Sequence, residues 1–358
     1  MSKKHGANLF DLSKQYNFDI NSILDFSSNI NPFGADKKAL NYIKEHIDIV
    51  SIYPDPEYID LKASIANYCQ CNSDDIMLSN GATSLISNYI KYVNPDKALL
   101  LQPAYSEYES ELESINAEIF RFYLKKDNDF KIDITELIEF INSNSIKLAI
   151  ICNPNNPTGT ILSRVEIEML LTKTNAKFMV DETYIEFSDK DKFSSAPLTS
   201  SYENLFVIRG TSKFFATPGI RLGYAITSDM SAKEFISNSF HLWDINVIAS
   251  TMGEIMFRND EYIKTTHDLI TNEMNFLKDE LSKISKIKVY PSYGNFILCE
   301  ILPSDIDSDI LYLELIKKGI AIRNCSSFNG LGNKFFRVCV LNHEDNSRLM
   351  NELKIILN

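Results

Sequence analysis

Asn204-Leu-Phe-Val-Ile-Arg-Gly-Thr-Ser-Lys213-Phe-Phe-Ala-Thr-Pro-Gly-Ile-Arg221-Leu-Gly-Tyr224 decides how the chain is read. Leu205 to Ile208 is a short apolar run bounded by a turn signal, the pattern of a buried strand. Thr211, Ser212, Lys213 and two aromatics follow, and Arg221 stands eight positions after the lysine. A lysine in apolar surroundings loses solvation of its charged form, so its pKa falls and its amine attacks carbonyls. Hydroxyls beside an arginine bind a phosphate monoester. Together they suit an aldehyde that carries a phosphate. The plain alternative is a surface lysine at a strand end with Arg221 in a salt bridge.

Outward from this stretch, residues 76–240 alternate strand and helix. Ile76 to Leu78 is a strand leading into Ser79-Asn80-Gly81-Ala82-Thr83 and a helix to about Tyr92. Strands follow at Lys97 to Leu101, before Pro103-Ala104-Tyr105, and at Glu118 to Leu124. Leu148 to Cys152 stops at Asn153-Pro-Asn-Asn156-Pro-Thr-Gly159, and Ser163 with Glu166 forms a capping box for the next helix. Lys177 to Val180 ends in Asp181-Glu-Thr-Tyr184, and Leu222 to Ile226 is a further strand. Such alternation predicts an α/β fold with a mostly parallel sheet, helices on both faces, and ligands at the carboxyl ends of strands. Each unusual motif falls at that end.

Beyond about residue 240 the pattern changes. A long helix near 261–283, short strands near 288–290, 295–300 and 335–340, and helices near 309–318 and 344–357 predict a smaller α+β domain. The expected division is an arm over 1–35 joining the small domain, a large cofactor-binding domain over 36–240, and a small domain over 241–358. The arm holds His5-Gly-Ala-Asn8 and Asp25-Phe-Ser-Ser-Asn-Ile-Asn31-Pro-Phe-Gly34. Asparagines with Pro and Gly read as turns or as a segment that covers substrate. Tyr53-Pro-Asp-Pro56 precedes a helix from Tyr58 to Tyr68.

The 358 residues are 44% hydrophobic and 23% charged, with a net charge of −12. That balance argues against nucleic acid or an anionic membrane as partner. An anionic ligand then needs local cations, which gives Arg209, Arg221, Arg323 and Arg337 weight. The six cysteines form no Cys-x-x-Cys pair and read as reduced core residues. No metal site is expected. The N-terminus has no apolar signal core and no stretch approaches a membrane span, so a cytoplasmic protein is expected.

Pyridoxal phosphate (PLP) fits the constellation. Lys213 would carry the aldehyde carbon. Asp181 would face the pyridine nitrogen, its alternative being a structural helix cap. Asn156 and Tyr184 would contact the phenolic oxygen and Tyr105 the ring face. The phosphate would sit on backbone N–H groups of Gly81, Ala82 and Thr83 with Ser212 and Arg221.

The motifs Asn153-Pro-Asn-Asn-Pro-Thr-Gly159, Asp181-Glu-Thr-Tyr184 and Ser212-Lys213…Arg221-Leu-Gly-Tyr224 resemble those of fold-type I PLP-dependent enzymes, aminotransferase class I/II, across nearly the whole chain. Two branches are similar: histidinol-phosphate aminotransferase and threonine-phosphate decarboxylase. His5-Gly-Ala-Asn8 and Asp25-Phe-Ser-Ser-Asn-Ile-Asn-Pro32 resemble the second, whose pathway is cobalamin biosynthesis. The resemblance implies a homodimer in which Tyr53 reaches the neighbouring subunit's cofactor phosphate. It implies Lys213, Asp181 and Tyr184 as catalytic residues and Arg337 on the substrate carboxylate. His5, Asn31 and Arg323 would hold the substrate's own phosphate. Gly210 stands where a hydroxyl is usual, and Thr211 is expected to compensate. The expected activity is decarboxylation of phosphothreonine or phosphoserine to a phosphorylated amino alcohol. The alternative is an aminotransferase for histidinol phosphate or another small phosphorylated amine. A PLP-binding regulator is disfavoured because no DNA-binding segment is visible.

Overall fold

A computed structural model describes residues 7–357. In chain order the strands are β1 (Leu24–Asp25), β2 (Ile76–Ser79), β3 (Lys97–Gln102), β4 (Glu118–Tyr123), β5 (Leu148–Cys152), β6 (Lys177–Asp181), β7 (Leu205–Gly210), β8 (Gly223–Ile226), β9 (Ile287–Val289), β10 (Phe296–Ile301), β11 (Ile320–Ala321), β12 (Arg323–Asn324) and β13 (Phe335–Cys339).

Seven of them form one sheet in the order β2-β8-β7-β6-β5-β3-β4. Only β8 runs against the others. β5 is buried along its whole length, as a strand covered on both faces must be. Alternation splits its side chains: Leu148 and Ile150 enter one core, Ala149 and Ile151 the other. The first core is roofed by the helices Ala82–Val93, Ser106–Ser114 and Met230–Ser237, which contribute Leu85, Tyr108 and Ile236. On the opposite face lie Ile59–Cys69, Ile134–Ser143, Arg164–Lys173 and Val247–Met256. The capping box at Ser163 and Glu166 is formed, fixing the start of Arg164–Lys173.

β12-β13-β10-β9 form a smaller antiparallel sheet, with the helix Asp260–Ser282 against β9, Ser308–Ile316 against β12, and His343–Leu357 against both helices. β1 pairs in parallel with β11, so the arm is stitched to the C-terminal part of the chain. The arm also holds the helix Leu9–Tyr16, capped by Asn8, which the turn-rich reading of 1–35 missed. All six cysteines are free, and all but Cys71 are buried. Among the described residues no helix is long and apolar enough to cross a membrane, and no cluster of metal-ligating side chains occurs.

Candidate active site

A cleft of about 840 Å³ lies at the carboxyl ends of the parallel strands, closed on one side by the small sheet. Lys213 stands in the turn after β7. Its Nζ donates to the Ser28 carbonyl at 2.6 Å. Burial lowers its pKa to about 8, and Arg337 pushes the same way.

Asp181 is the last residue of β6 and is 5% exposed. Its carboxylate accepts from Tyr108 Oη (2.6 Å), Thr183 N (2.9 Å) and Thr183 Oγ1 (2.6 Å). Burial nonetheless raises its pKa, since those bonds only partly restore lost hydration. A cation facing Asp181 would favour the charged form.

The loop after β5 is shaped by Asn153, whose amide both donates to the Leu162 carbonyl and accepts from its N–H. Asn156, three residues on, therefore faces the cleft, where its Oδ1 accepts from Arg337 Nη1. Arg337 sits on β13. Its Nη2 donates to the Ser27 carbonyl at 2.5 Å, and its guanidinium lies 5.1 Å above the Phe296 ring. Arg323 is directly opposite Arg337 in the β12–β13 register. It donates to Ser327 Oγ at 3.2 Å and lies 5.0 Å above Phe328. Burial, then Arg337, lowers its pKa. Among the described residues neither arginine is paired with a carboxylate.

At the other end of the cleft is a cradle. Gly81 has φ +88°, and a Cβ there would lie 2.2 Å from Arg221 Nη2. The guanidinium thus occupies the space that glycine frees, beside the backbone opening Ala82–Val93. Fixed N–H groups and a cation converge as a phosphate requires. Ala82, Thr83, Ser212 and Tyr105 line the same cavity, and Tyr105 stands edge-on to Tyr108 at 5.4 Å. Tyr184 is buried, its ring edge-on to Phe296 at 5.0 Å and its oxygen accepting from Asn29 Nδ2 at 3.3 Å. Burial pushes its phenol up to about 12. A buried amine, a buried carboxylate and a cationic cradle on one cavity fit PLP.

Two expectations are corrected. Thr211 does not compensate for Gly210: it is fully buried, and its hydroxyl donates to the Leu222 carbonyl at 3.2 Å, away from the cavity. Asn31 does not line the cleft. Its Nδ2 is shared by the Phe214 carbonyl and Tyr262 Oη, and its Oδ1 accepts from Phe33 N. It ties the arm to the lysine turn. Tyr53 lies outside the cleft, 74% exposed and stacked on Trp243 at 4.4 Å. His5 lies outside the described residues. The sequence reading missed Tyr108, Thr183, Ser27, Ser28 and Asn29. Only Tyr108, three residues after Tyr105, carried a spacing that could have flagged it.

Lysine, carboxylate and anion cradle at the carboxyl edge of a mostly parallel sheet define a fold-type I PLP-dependent enzyme. The model of the family "Aminotransferase class I and II" matches residues 14–353, and the chain belongs to that family. It is 35% identical over 355 residues to a threonine-phosphate decarboxylase candidate of Caldanaerobacter subterraneus subsp. tengcongensis, covering 98% of this chain and 93% of that protein. It is 32% identical over 350 residues to the adenosylcobalamin biosynthesis bifunctional protein CobDQ of Leptospira interrogans. That match covers 97% of this chain but only 40% of the longer protein. The solved histidinol-phosphate aminotransferase from Clostridium acetobutylicum superposes with a TM-score of 0.87 at 33% identity, covering 94% of this chain and 99% of that one.

Proposed function

We propose that the chain is a PLP-dependent decarboxylase of an O-phospho amino acid, phosphothreonine or phosphoserine, releasing a phosphorylated amino alcohol. The observation that carries this reading is the pair Arg323 and Arg337. In a protein of net charge −12, two guanidiniums line one wall of the cleft without a carboxylate partner. A substrate bearing both a carboxylate and a phosphate neutralises both. Histidinol phosphate, which has no carboxylate, offers a single anionic group, a phosphate of nearly two charges, for the two arginines to share.

When bound, PLP supplies an electron sink for whichever bond at the substrate α-carbon stands perpendicular to its ring. The direction of that bond is the chain's contribution. Arg337 is gripped from two sides, by Asn156 and Ser27, so a carboxylate on it is held in one orientation. Arg323 with Ser327 would take the substrate phosphate. Asp181 would face the pyridine nitrogen and favour positive charge there, and Lys213, whose amine burial brings to a pKa of about 8, would move a proton at its Nζ. The arm joins in through Ser27 and Ser28, and its pairing with β11 supports grouping 1–35 with the C-terminal domain.

The likeness to the Clostridium aminotransferase favours a second reading, transamination of histidinol phosphate. One assay separates the two. Purified protein with PLP is mixed with phosphothreonine or phosphoserine and CO₂ is measured, alongside amino transfer to 2-oxoglutarate. Release of CO₂ is expected. No release with either compound, together with transfer from histidinol phosphate, rejects the decarboxylase.

A further inference from the structure

We propose that Asn29 is a positioning residue: its side-chain amide donates to Tyr184 Oη and so commits the phenol's own O–H to the cleft, toward the cofactor's phenolic oxygen. A phenol has one proton and two in-plane places to put it. Asn29 Nδ2 lies 3.3 Å from the oxygen and takes one of those places. Tyr184 lines the cleft, so the remaining place is the one a ligand meets.

The amide cannot turn elsewhere. Asn29 is 0% exposed, and its backbone carbonyl accepts from Asn295 Nδ2 at 3.0 Å. Its φ of +57° is left-handed, a conformation asparagine tolerates. Phe296, next in sequence to Asn295, holds the Tyr184 ring edge-on, so amide and ring are braced by one segment. The amide's sense also follows. Asn29 Oδ1 is buried with no partner. The reverse orientation would leave an unpaired NH₂ in that place, and orphaned N–H groups are rarer than under-satisfied carbonyls. No carboxylate is bonded to Tyr184; Asn29 is its hydrogen-bond partner among the described residues. The inference concerns the cofactor and holds whichever substrate bond is cut.

The test is a spectrophotometric pH titration of the yellow cofactor–Lys213 chromophore without substrate. A donor to the phenolic oxygen stabilises the deprotonated chromophore, so losing it moves the midpoint up. Asn29→Gly keeps a left-handed residue and removes the amide; its midpoint should rise by about half a pH unit. Asn29→Asp keeps the shape but offers an acceptor that captures the phenol's proton; its midpoint should rise by about one unit or more. Tyr184→Phe should give a rise that adding Asn29→Gly does not change. An unmoved midpoint in both Asn29 variants overturns the proposal. So does a full additional shift in the Tyr184→Phe background, or loss of the chromophore in a variant whose far-ultraviolet dichroism is unchanged.

Discussion

Burying Lys213 changes what its amine does at neutral pH. With a pKa near 8 rather than 10.5, a useful fraction is neutral and nucleophilic. The apo-protein should therefore take up PLP at a rate that climbs about tenfold per pH unit below 8 and levels off above it. Stopped-flow absorbance measures this, and a flat profile would contradict the assigned amine. Lys213→Ala should show no such band. Gly210 offers a gain instead. A Cβ there would meet only Leu222 O at 3.6 Å and Ala82 Cβ at 3.9 Å, ordinary contacts. Gly210→Ser should thus fold normally, add a hydroxyl at the cradle, and bind PLP about tenfold tighter, the order of one hydrogen bond to a charged group. Unchanged affinity by equilibrium dialysis would mean the phosphate sits elsewhere. Lys213, Asp181, Tyr184 and Arg221 were legible in the sequence because each is a reactive type at a strand end or turn. Thr211 and Asn31 misled because a hydroxyl or amide satisfies backbone as readily as it binds a ligand, and sequence does not show which.

Behind the site, β6 and β7 are joined by a buried ionic cluster. Glu182 follows Asp181 and turns to the other face of the sheet, where it accepts from Arg209 Nη2 at 2.7 Å and from Ser195 N at 2.6 Å. Glu186 lies 3.7 Å from Arg209, yet neither of its oxygens is hydrogen-bonded. Burial raises its pKa from 4.5 to about 6. Stability from this group is therefore complete below pH 4.5 and is lost as pH rises through about 6. Glu186→Gln removes that loss. Thermal melts should show the variant gaining about 2 kcal/mol on the parent between about pH 5 and pH 8. Parallel stability curves would show that Arg209 already compensates the charge. Long apolar strands such as β5 and β7 were readable from composition alone. β1, β11 and β12 were not: two residues carry no period, and they become strands only because distant segments pair with them.

For the molecule as a whole, the exposed apolar residues Ile47, Val50, Ile52 and Tyr53, with Tyr53 stacked on Trp243, fit the homodimer that the resemblance in the sequence implies. Sedimentation should give twice 40.9 kDa. Tyr53→Asp places a charge in that face and should weaken the dimer at least about tenfold, and weaken PLP binding with it. A variant as dimeric as the parent would remove this face from the interface. The join between arm and small sheet carries one more consequence. Arg337 grips a carbonyl 310 positions earlier, and Leu24 pairs with Ile320. On a ribosome, the arm is made before the large sheet and must wait for β11 and β13, made after it, to emerge. The strands of the large sheet all precede β12 and β13, so the substrate wall does not exist until those later strands have been made. A nascent chain halted before Ile320 would carry the lysine and its cradle with no arginine to choose a substrate.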